Sequence, residues 1–463
     1  MIPTYQDFER ETDKIKFICN AVTIYRNSDE YRTALLADEY EAQKNTTISE
    51  VVKTLYSAQG KAMNDFTASN NRIASNFFHR LNTQRVTYSL GNGVTFTMDN
   101  VKDRFTDDFD TTLSRSAMRA LEHGADYLYL NDDGGKYRIY SFSATEFVPL
   151  YDEYDGSLKA GIRFWSLDWN TKPGIAVLYE EDGYTRFRSR SGKAGLYDIE
   201  QDGEKQAYRL TIRHTDAGGD EVVGAENYSG LPVVPLYGNE RRESTLVGLR
   251  SMIDSYDLIM SGFANDLEDC AQVYWLIGNA MGMSDGDLEK FRDRLKFTHI
   301  ATADLDNSSV TPYTQDIPHT ARVEYLQMIE AAIYSHFGAF NVKQVSAGAS
   351  TATEINASYQ PMDEEADAFE YQIIECVQQI LKLIGLEDTP TFKRNRISNQ
   401  AEQVQMLANV AQYLDDKTIL KNIPFISVDE IDDILANKYS DTESRFEPIK
   451  DEQKQGEEEQ EEV

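Results

Sequence analysis

Six histidines, three cysteines and 78 acidic residues are the side chains of this sequence with the most capacity for chemistry. His79, His123, His214, His299, His319 and His336 are scattered without the close spacing of a metal-ligand set and read as surface or packing residues. Cys19, Cys270 and Cys376 lie far apart, odd in number and without a CxxC pair. That pattern fits a reducing compartment and small buried hydrophobes, not a disulfide framework. Carboxylate pairs such as Asp107-Asp108 and Asp415-Asp416 arise by chance at this acidity and read as solvated faces or caps, not glycosidase dyads. Gly60-Lys61 and Gly192-Lys193 are each followed by Ala and lack the upstream glycine of a phosphate-binding loop. Asp304-Leu305-Asp306-Asn307 lacks the Gly and closing Glu of a calcium loop, and neither a G-x-S-x-G elbow nor an H-E-x-x-H helix occurs. Trp165 and Trp169 could stack on a sugar or base, but read first as packing of a β-rich region. The expectation is a structural protein with no catalytic residue, cofactor or metal.

Charge narrows the partners. The 78 Asp and Glu stand against 46 Lys and Arg, a net charge of −32. Gripping duplex DNA along its backbone needs the opposite balance, because affinity there comes from cations displacing counterions. Anionic membrane surfaces are disfavoured for the same reason. No apolar run approaches the ~20 residues of a membrane span; the longest, Val273 to Met283, is broken by Gly278 and Asn279. Asp7, Glu9, Glu11 and Asp13 are the wrong chemistry for a secretory leader, so a soluble protein made inside the cell is expected.

The 463 residues suggest two to four structural units. Residues 1 to about 85 read as helical, including Glu30 to Gln43 and Asn71 to Leu81, where Ile73, Phe77, Phe78 and Leu81 share a face. From Val86 to about Leu236 the text is β-rich. Asn92-Gly93 predicts a tight hairpin between Thr87–Leu90 and Val94–Phe96, with further turns at Asp132–Gly135, Asp182-Gly183 and Gly218-Gly219. A helix over Thr111–His123 interrupts this region and ends at Gly124. Ser244 then caps a long one-faced helix carrying Leu246, Leu249, Ile253, Tyr256, Met260, Phe263 and Leu267, about 40 Å long if it runs to Cys270. Between Ala271 and Ile317 come a short helix capped by Ser284 and strands near 273–277, 299–302 and 310–313. A second helix starts near Thr320 and carries Val323, Leu326, Ile329, Ile333, Phe337 and Phe340. Asn341 to Ser350 is small and polar. Thr351 and Glu354 form a capping box for a helix to about Leu386, kinked by Pro361. Helices near 399–414 and 428–437 follow. The last 23 residues hold ten acidic and three basic side chains and read as disordered. That tail supplies −7 of the −32 and leaves −25 on the body.

Three stretches in this order resemble the portal proteins of tailed double-stranded DNA bacteriophages, in particular those of long-tailed phages of Gram-positive hosts. The first is Tyr40–Ser49, then Asn71-Arg72-Ile73 with Asn76-Phe77-Phe78, then Tyr88 to Val94. The second is Ala120–Tyr127, Phe147–Asp152 and Gly161–Phe164. The third is Leu231–Asn239, Ile253–Asp257 and Ser261–Glu268. No single word is specific, yet the succession spans about residues 30–390.

The resemblance implies an α+β portal fold. Residues 1–243 would be wing, 244–270 and 318–340 an antiparallel stem pair, 271–317 clip, and 341–350 tunnel loop. A kinked wing-to-crown helix would follow over 351–386, then crown over 387–440 and a disordered acidic tail over 441–463. It also implies a ring homo-oligomer, typically of twelve subunits, at the capsid vertex. Double-stranded DNA would pass through it without sequence specificity during packaging and ejection. The implied partners are the terminase large subunit, scaffolding and major capsid proteins, and a head-completion adaptor, with no membrane.

The site residues that follow are Asn341, Val342, Lys343, Gln344, Val345, Ser346 and Gly348 in the tunnel loop, and Glu289, Arg292, Asp293 and Arg294 in the clip for motor or adaptor docking. Pro361 would be a hinge. Lys343, the only lysine between Lys296 and Lys382, is expected to touch passing phosphate or to be an ordinary loop lysine. Two alternatives compete: a carbohydrate-active enzyme, suggested by 11% aromatic residues and surplus carboxylates, and another ring-forming virion adaptor.

Overall fold

The computed structural model describes residues 2–56, 60–65, 68–98, 100–166, 174–190, 195–214, 220–270, 274–278, 284, 286, 289–290, 309–313, 319–343, 357–396, 407–409, 411–421, 423, 431 and 434–437. The chain divides into two units, Met1–Asn395 and Arg396–Val463.

Polar caps open the first three helices of the larger unit. Thr4 and Asp7 form a reciprocal capping box on α1 (Tyr5–Arg10), Asp13 caps α2 (Lys14–Arg26) and Ser28 caps α3 (Asp29–Glu41). The face of α2 bearing Phe17, Ile18, Ala21, Val22 and Tyr25 is buried against a five-stranded antiparallel sheet. That sheet has the order β10 (Ile199–Gln201), β9 (Gly183–Ser189), β8 (Ile175–Glu180), β7 (Leu158–Trp165), β6 (Phe147–Tyr151). β9 alternates buried and outward residues along its length, the signature of a sheet with one wet face. Gly161 on β7 lies under Phe147, where a Cβ would meet the ring at 2.0 Å, so the close approach requires glycine.

The second core layer joins a three-stranded sheet to two helices. β4 (Ala125–Asp132) pairs with β5 (Tyr137–Ser143) on one side and β13 (Val233–Tyr237) on the other. Leu113, Ala117, Ala120 and Leu121 of α6 (Phe109–His123) pack there with Phe369, Ile373, Val377 and Ile380 of the helix Gln360–Leu383. Gly124 ends α6 at φ +93° and is the C′ residue its sequence promised. The turns at Asp132–Gly135 and Asp182-Gly183 join β4 to β5 and β8 to β9 as expected; β11 (Arg209–His214) pairs with β12 (Asp220–Glu226), and Gly218-Gly219 lies outside the described residues. Trp165 is half-buried against the core beneath the Arg163 guanidinium; Trp169 lies outside the described residues.

Three expectations change. Thr87–Leu90 is not a hairpin arm: α5 runs Phe77–Leu90, and β3 (Val94–Thr95) pairs with β16 (Thr391–Phe392), nearly 300 residues away. Burial of Phe78, Leu81, Val86 and Leu90 along α5 outweighs the local strand preference of Thr and Tyr. Asn71 to Asn76 is not helical either, and Ile73 is an exposed residue ahead of α5. The helical N-terminus also contains a short hairpin, β1 (Thr54–Tyr56) with β2 (Ala62–Asn64). Beyond α4 (Thr46–Glu50), two long helices complete the unit, α7 (Leu246–Cys270) and α8 (His319–Phe337). α9 (Gln360–Leu383) begins after helical residues 357–358 and a turn at Tyr359, so Pro361 stands in its first turn, where a missing N–H costs no hydrogen bond.

In the smaller unit, residues 407–409 are helical, Ala411–Tyr413 form a 3₁₀ turn, and α10 (Asp416–Lys421) follows. Residue 431 and residues 434–437 are helical within the region expected to be a helix.

Candidate functional site

α7 has two working faces. Leu246, Leu249 and Ile253 are buried among Ile329, Ile333 and Phe337 of α8 and Phe77, Phe78 and Leu81 of α5, and Tyr256 meets Phe77 edge-on with centroids 4.9 Å apart. The two helices are antiparallel: Arg322 pairs with Asp266 towards one end, while Leu249 and Phe337 share the cluster at the other.

The second face is polar. Asp257, Ser261 and Asn265 recur every four residues along α7, a rise of about 6 Å per step. Against them lies the extended run 70–76, whose every-second N–H groups recur at about 6.6 Å. The two repeats match closely enough for three successive bonds. Ser75 N–H donates to Asp257 at 2.9 Å, Ile73 N–H to Ser261 at 2.9 Å and Asn71 N–H to Asn265 at 2.6 Å. Asn71 Nδ2 adds a bond to Glu268 at 2.9 Å, Thr47 donates to Asp254 at 2.7 Å, and Asn45 donates to Asp257. Asp257 is only 1% exposed. Burial pushes its carboxyl above the ordinary value, and the Ser75 and Asn45 bonds oppose that rise. Sequence reasoning misses this stripe as a functional feature; polar residues recurring at four-residue spacing on a face of α7 other than its apolar stripe are the signal that could have marked it.

Residues flanking the segment expected to be a tunnel loop, Phe340 just before it and Tyr359 nine residues beyond it, meet on α5. Phe340 stacks on Tyr359 with centroids 4.2 Å apart and planes 6° from parallel, and Tyr359 stacks on Tyr88 at 6.0 Å. Tyr88 donates to Asp363 at 2.6 Å. Arg85, almost fully enclosed, donates to the Phe337 carbonyl and pairs with Glu365 at 3.1 Å. Arg394 bridges Asp363 at 3.1 Å, Glu370 at 2.8 Å and Asp367 on successive turns of α9.

Of the residues expected in the loop, Asn341, Val342 and Lys343 are placed here. Asn341 accepts from Lys343 N–H at 3.1 Å, and Val342 is exposed. The Lys343 ammonium is largely exposed and pairs with Glu330 of α8 at 2.7 Å, a bond that raises its pKa. Gln344, Val345, Ser346 and Gly348 lie outside the described residues, as do Arg292, Asp293 and Arg294. Glu289 is exposed on a helical residue between β14 (Tyr274–Gly278) and β15 (Ser309–Tyr313), an antiparallel pair in register from Tyr274↔Tyr313 to Gly278↔Ser309. The strand expected at 299–302 also lies outside the described residues.

The histidines are partly organised. His79 pairs with Glu41, and His123 at the end of α6 pairs with Asp38 of α3 at 2.8 Å. Glu122 beside it is pushed up to about 8 by burial and by the charges of Glu41 and Asp38, against the opposing charge of Arg119. Burial likewise holds the Cys376 thiol far above its ordinary pKa, leaving it a hydrophobe in practice. No described helix is long and apolar enough to cross a membrane.

Helices packed on antiparallel sheets make this a mixed α+β protein whose described polar groups tie its elements together. Comparison with known proteins supplies the family. The model of the phage portal protein family, SPP1 Gp6-like, matches residues 22–461, and the chain belongs to that family. A portal protein of Clostridium phage phiCD119 is 23% identical over 94% of this chain and 99% of its own length. The portal protein of Bacillus phage SPP1 is 24% identical over 81% of this chain and 77% of its own. In the neck of a native gene transfer agent (GTA) particle computed with C12 symmetry, one chain aligns at a TM-score of 0.43 with 10% identity, covering 75% of this chain and 89% of that one. The protein is therefore a structural, non-enzymatic component of the virion, a portal subunit of the ring-forming head–tail junction. The carbohydrate-active enzyme is not favoured.

Proposed function

We propose that twelve copies, or a number near it, form a ring through which double-stranded DNA enters the capsid and later leaves it. In this reading α7 and α8 are the stem, β14 and β15 belong to the clip, residues 1–243 form the wing, and 387–440 the crown. The observation that carries the reading is the surface of the helix pair. Leu258 and Leu267 on α7 and Val323, Tyr325 and Met328 on α8 are apolar and exposed in the single chain. A soluble protein covers such a surface with a partner, and a cyclic arrangement of identical subunits covers it on every copy.

The charge fits a conduit. A channel surrounded by subunits of net charge −32 repels phosphate from all sides, so the duplex slides and is not trapped by counterion release. Lys343 would be a transient phosphate contact, able to exchange Glu330 for DNA because its ammonium already faces solvent. The stacked Phe340, Tyr359 and Tyr88 rings would fix the base of the tunnel loop, so that Gln344, Val345, Ser346 and Gly348 move while the helices do not. Pro361 would set the angle at which α9 leaves that base. Glu289, with Arg292, Asp293 and Arg294, would face the terminase large subunit during packaging and the head-completion adaptor afterwards. Scaffolding and major capsid proteins would meet the wing.

The test is size-exclusion chromatography with light scattering on the purified chain, followed by negative-stain imaging of the main peak. A ring of about a dozen subunits with a central hole is expected. A monodisperse monomer that stays monomeric with scaffolding protein and capsid protein present would overturn the reading.

A further inference from the structure

We propose that Asp38, Glu122 and His123 form a binding site for one divalent transition-metal ion, joining α3 to the C-terminal end of α6. Each offers one ligand atom, and the three atoms lie within 4.8 Å of one another. The sequence hides this set, since Asp38 comes 85 residues before His123.

Two observations beyond proximity point to a cation. Glu122 is only 6% exposed and makes no hydrogen bond or ion pair with the described residues. A buried carboxylate without a partner carries a desolvation cost that a proton or a metal ion must relieve. Glu41, the strongest charged neighbour of Glu122, has its Oε2 buried and unpartnered as well. The imidazole is meanwhile held as metal-bound histidines are held: Ser143 Oγ stands 3.3 Å from Nδ1, leaving Nε2 directed at Asp38. Ser143 is itself fixed by Thr145 at 2.9 Å.

The donor set selects the ion. One imidazole nitrogen with two carboxylate oxygens suits Zn²⁺ and its first-row neighbours; calcium and magnesium prefer all-oxygen shells. Ligands on a tetrahedral zinc stand about 3.4 Å apart, given bonds of about 2.0–2.2 Å. The Asp38–His123 edge of 2.8 Å would open to that size, and Asp38, whose side chain is half-exposed, can turn to allow it. A water would complete the shell. The bound ion would replace the single Asp38–His123 hydrogen bond as the tie between the N-terminal helices and the sheet-bound α6.

The experiment uses the full chain, stripped with chelator, supplied with Zn²⁺ and desalted. Metal content by mass spectrometry and thermal unfolding are then read for wild type, Glu122→Gln and Asp38→Asn. About one zinc per chain and a raised melting temperature are expected in wild type. Both variants should bind at least about tenfold more weakly and lose that rise, while their metal-free melting temperatures stay near wild type. Cobalt substitution adds an optical readout of His-coordinated tetrahedral geometry. Substoichiometric zinc in wild type would overturn the site. So would equal zinc retention by both variants, which would assign the binding to the acidic surface at large.

Discussion

Asp126, at the start of β4, is completely enclosed; its Oδ2 accepts from Ser116 and from Ser141 at 2.7 Å, while Oδ1 has no partner. Burial pushes its carboxyl up to about 6, against those two hydrogen bonds and the charges of Arg119 and His123; the other titratable neighbours are Glu122, a like charge, and the inert Cys376 thiol. Because the folded value lies above the ordinary 3.8, the folded chain keeps a proton that the unfolded chain has released between about pH 4 and 6. The Asp126 contribution to stability is therefore greatest in acid and falls by about 3 kcal/mol as pH rises through 6. Asp126→Asn removes that dependence. Urea melts at pH 4.5 and 7.5 should show the variant gaining on wild type at the higher pH, and parallel pH profiles would refute the assignment. Gly124 makes a second prediction at this scale. At φ +93°, with a Cβ placed 2.6 Å from the Arg242 carbonyl, Gly124→Ala should cost about 1–3 kcal/mol in thermal or urea unfolding.

Among the elements, the polar stripe on α7 is the feature most open to mutation. Asp257→Ala leaves the Ser75 N–H without an acceptor in a closed interface and the Asn45 amide with only the Ser75 carbonyl, a loss of about 2–4 kcal/mol. Asp257→Asn keeps one acceptor oxygen and should lose less, so denaturant midpoints in the order wild type, Asn, Ala are expected. Equal midpoints for Ala and wild type would mean that the 70–76 run is held by something else. Elements closed by local chemistry are legible in the sequence: α6 with its C′ glycine, the turns joining β4 to β5 and β8 to β9, the long helices α7 and α8. Those decided at a distance are not. Asn92-Gly93 has hairpin chemistry, but residues 77–90 bury too much apolar surface along a helical face to separate into strands. Asn71–Asn76 has helical composition, yet its N–H groups find acceptors on α7 at a two-residue repeat that only an extended chain can match.

At the scale of the whole molecule, the exposed apolar residues of α7 and α8 separate folding from assembly. Leu267 and Met328 are 56% and 60% exposed in the single chain. Substituting either with Asp should change the stability of the isolated subunit by no more than about 0.5 kcal/mol. In a ring the same carboxylate would be buried without a partner, which the interface cannot tolerate. Light scattering should show Leu267→Asp and Met328→Asp shifting the population from rings to monomers, with unfolding midpoints unchanged. Rings that form normally from both variants would remove these helices from the subunit interface.

The family, the mixed α+β class, the two long helices and the absence of a nucleic-acid-gripping charge were all determined by the sequence alone, because each rests on composition, on spacing within one element or on the order of short stretches along the chain. Only the tertiary structure decided that Asp257, Ser261 and Asn265 seat an extended segment 180 or more residues away, that Phe340 and Tyr359 meet across the expected loop, and that Asp38 joins Glu122 and His123. The physical reason is common to all three: hydrogen bonds, ring stacks and ligand sets between distant residues depend on which faces pack together. That choice belongs to the burial of the whole core, not to any local pattern.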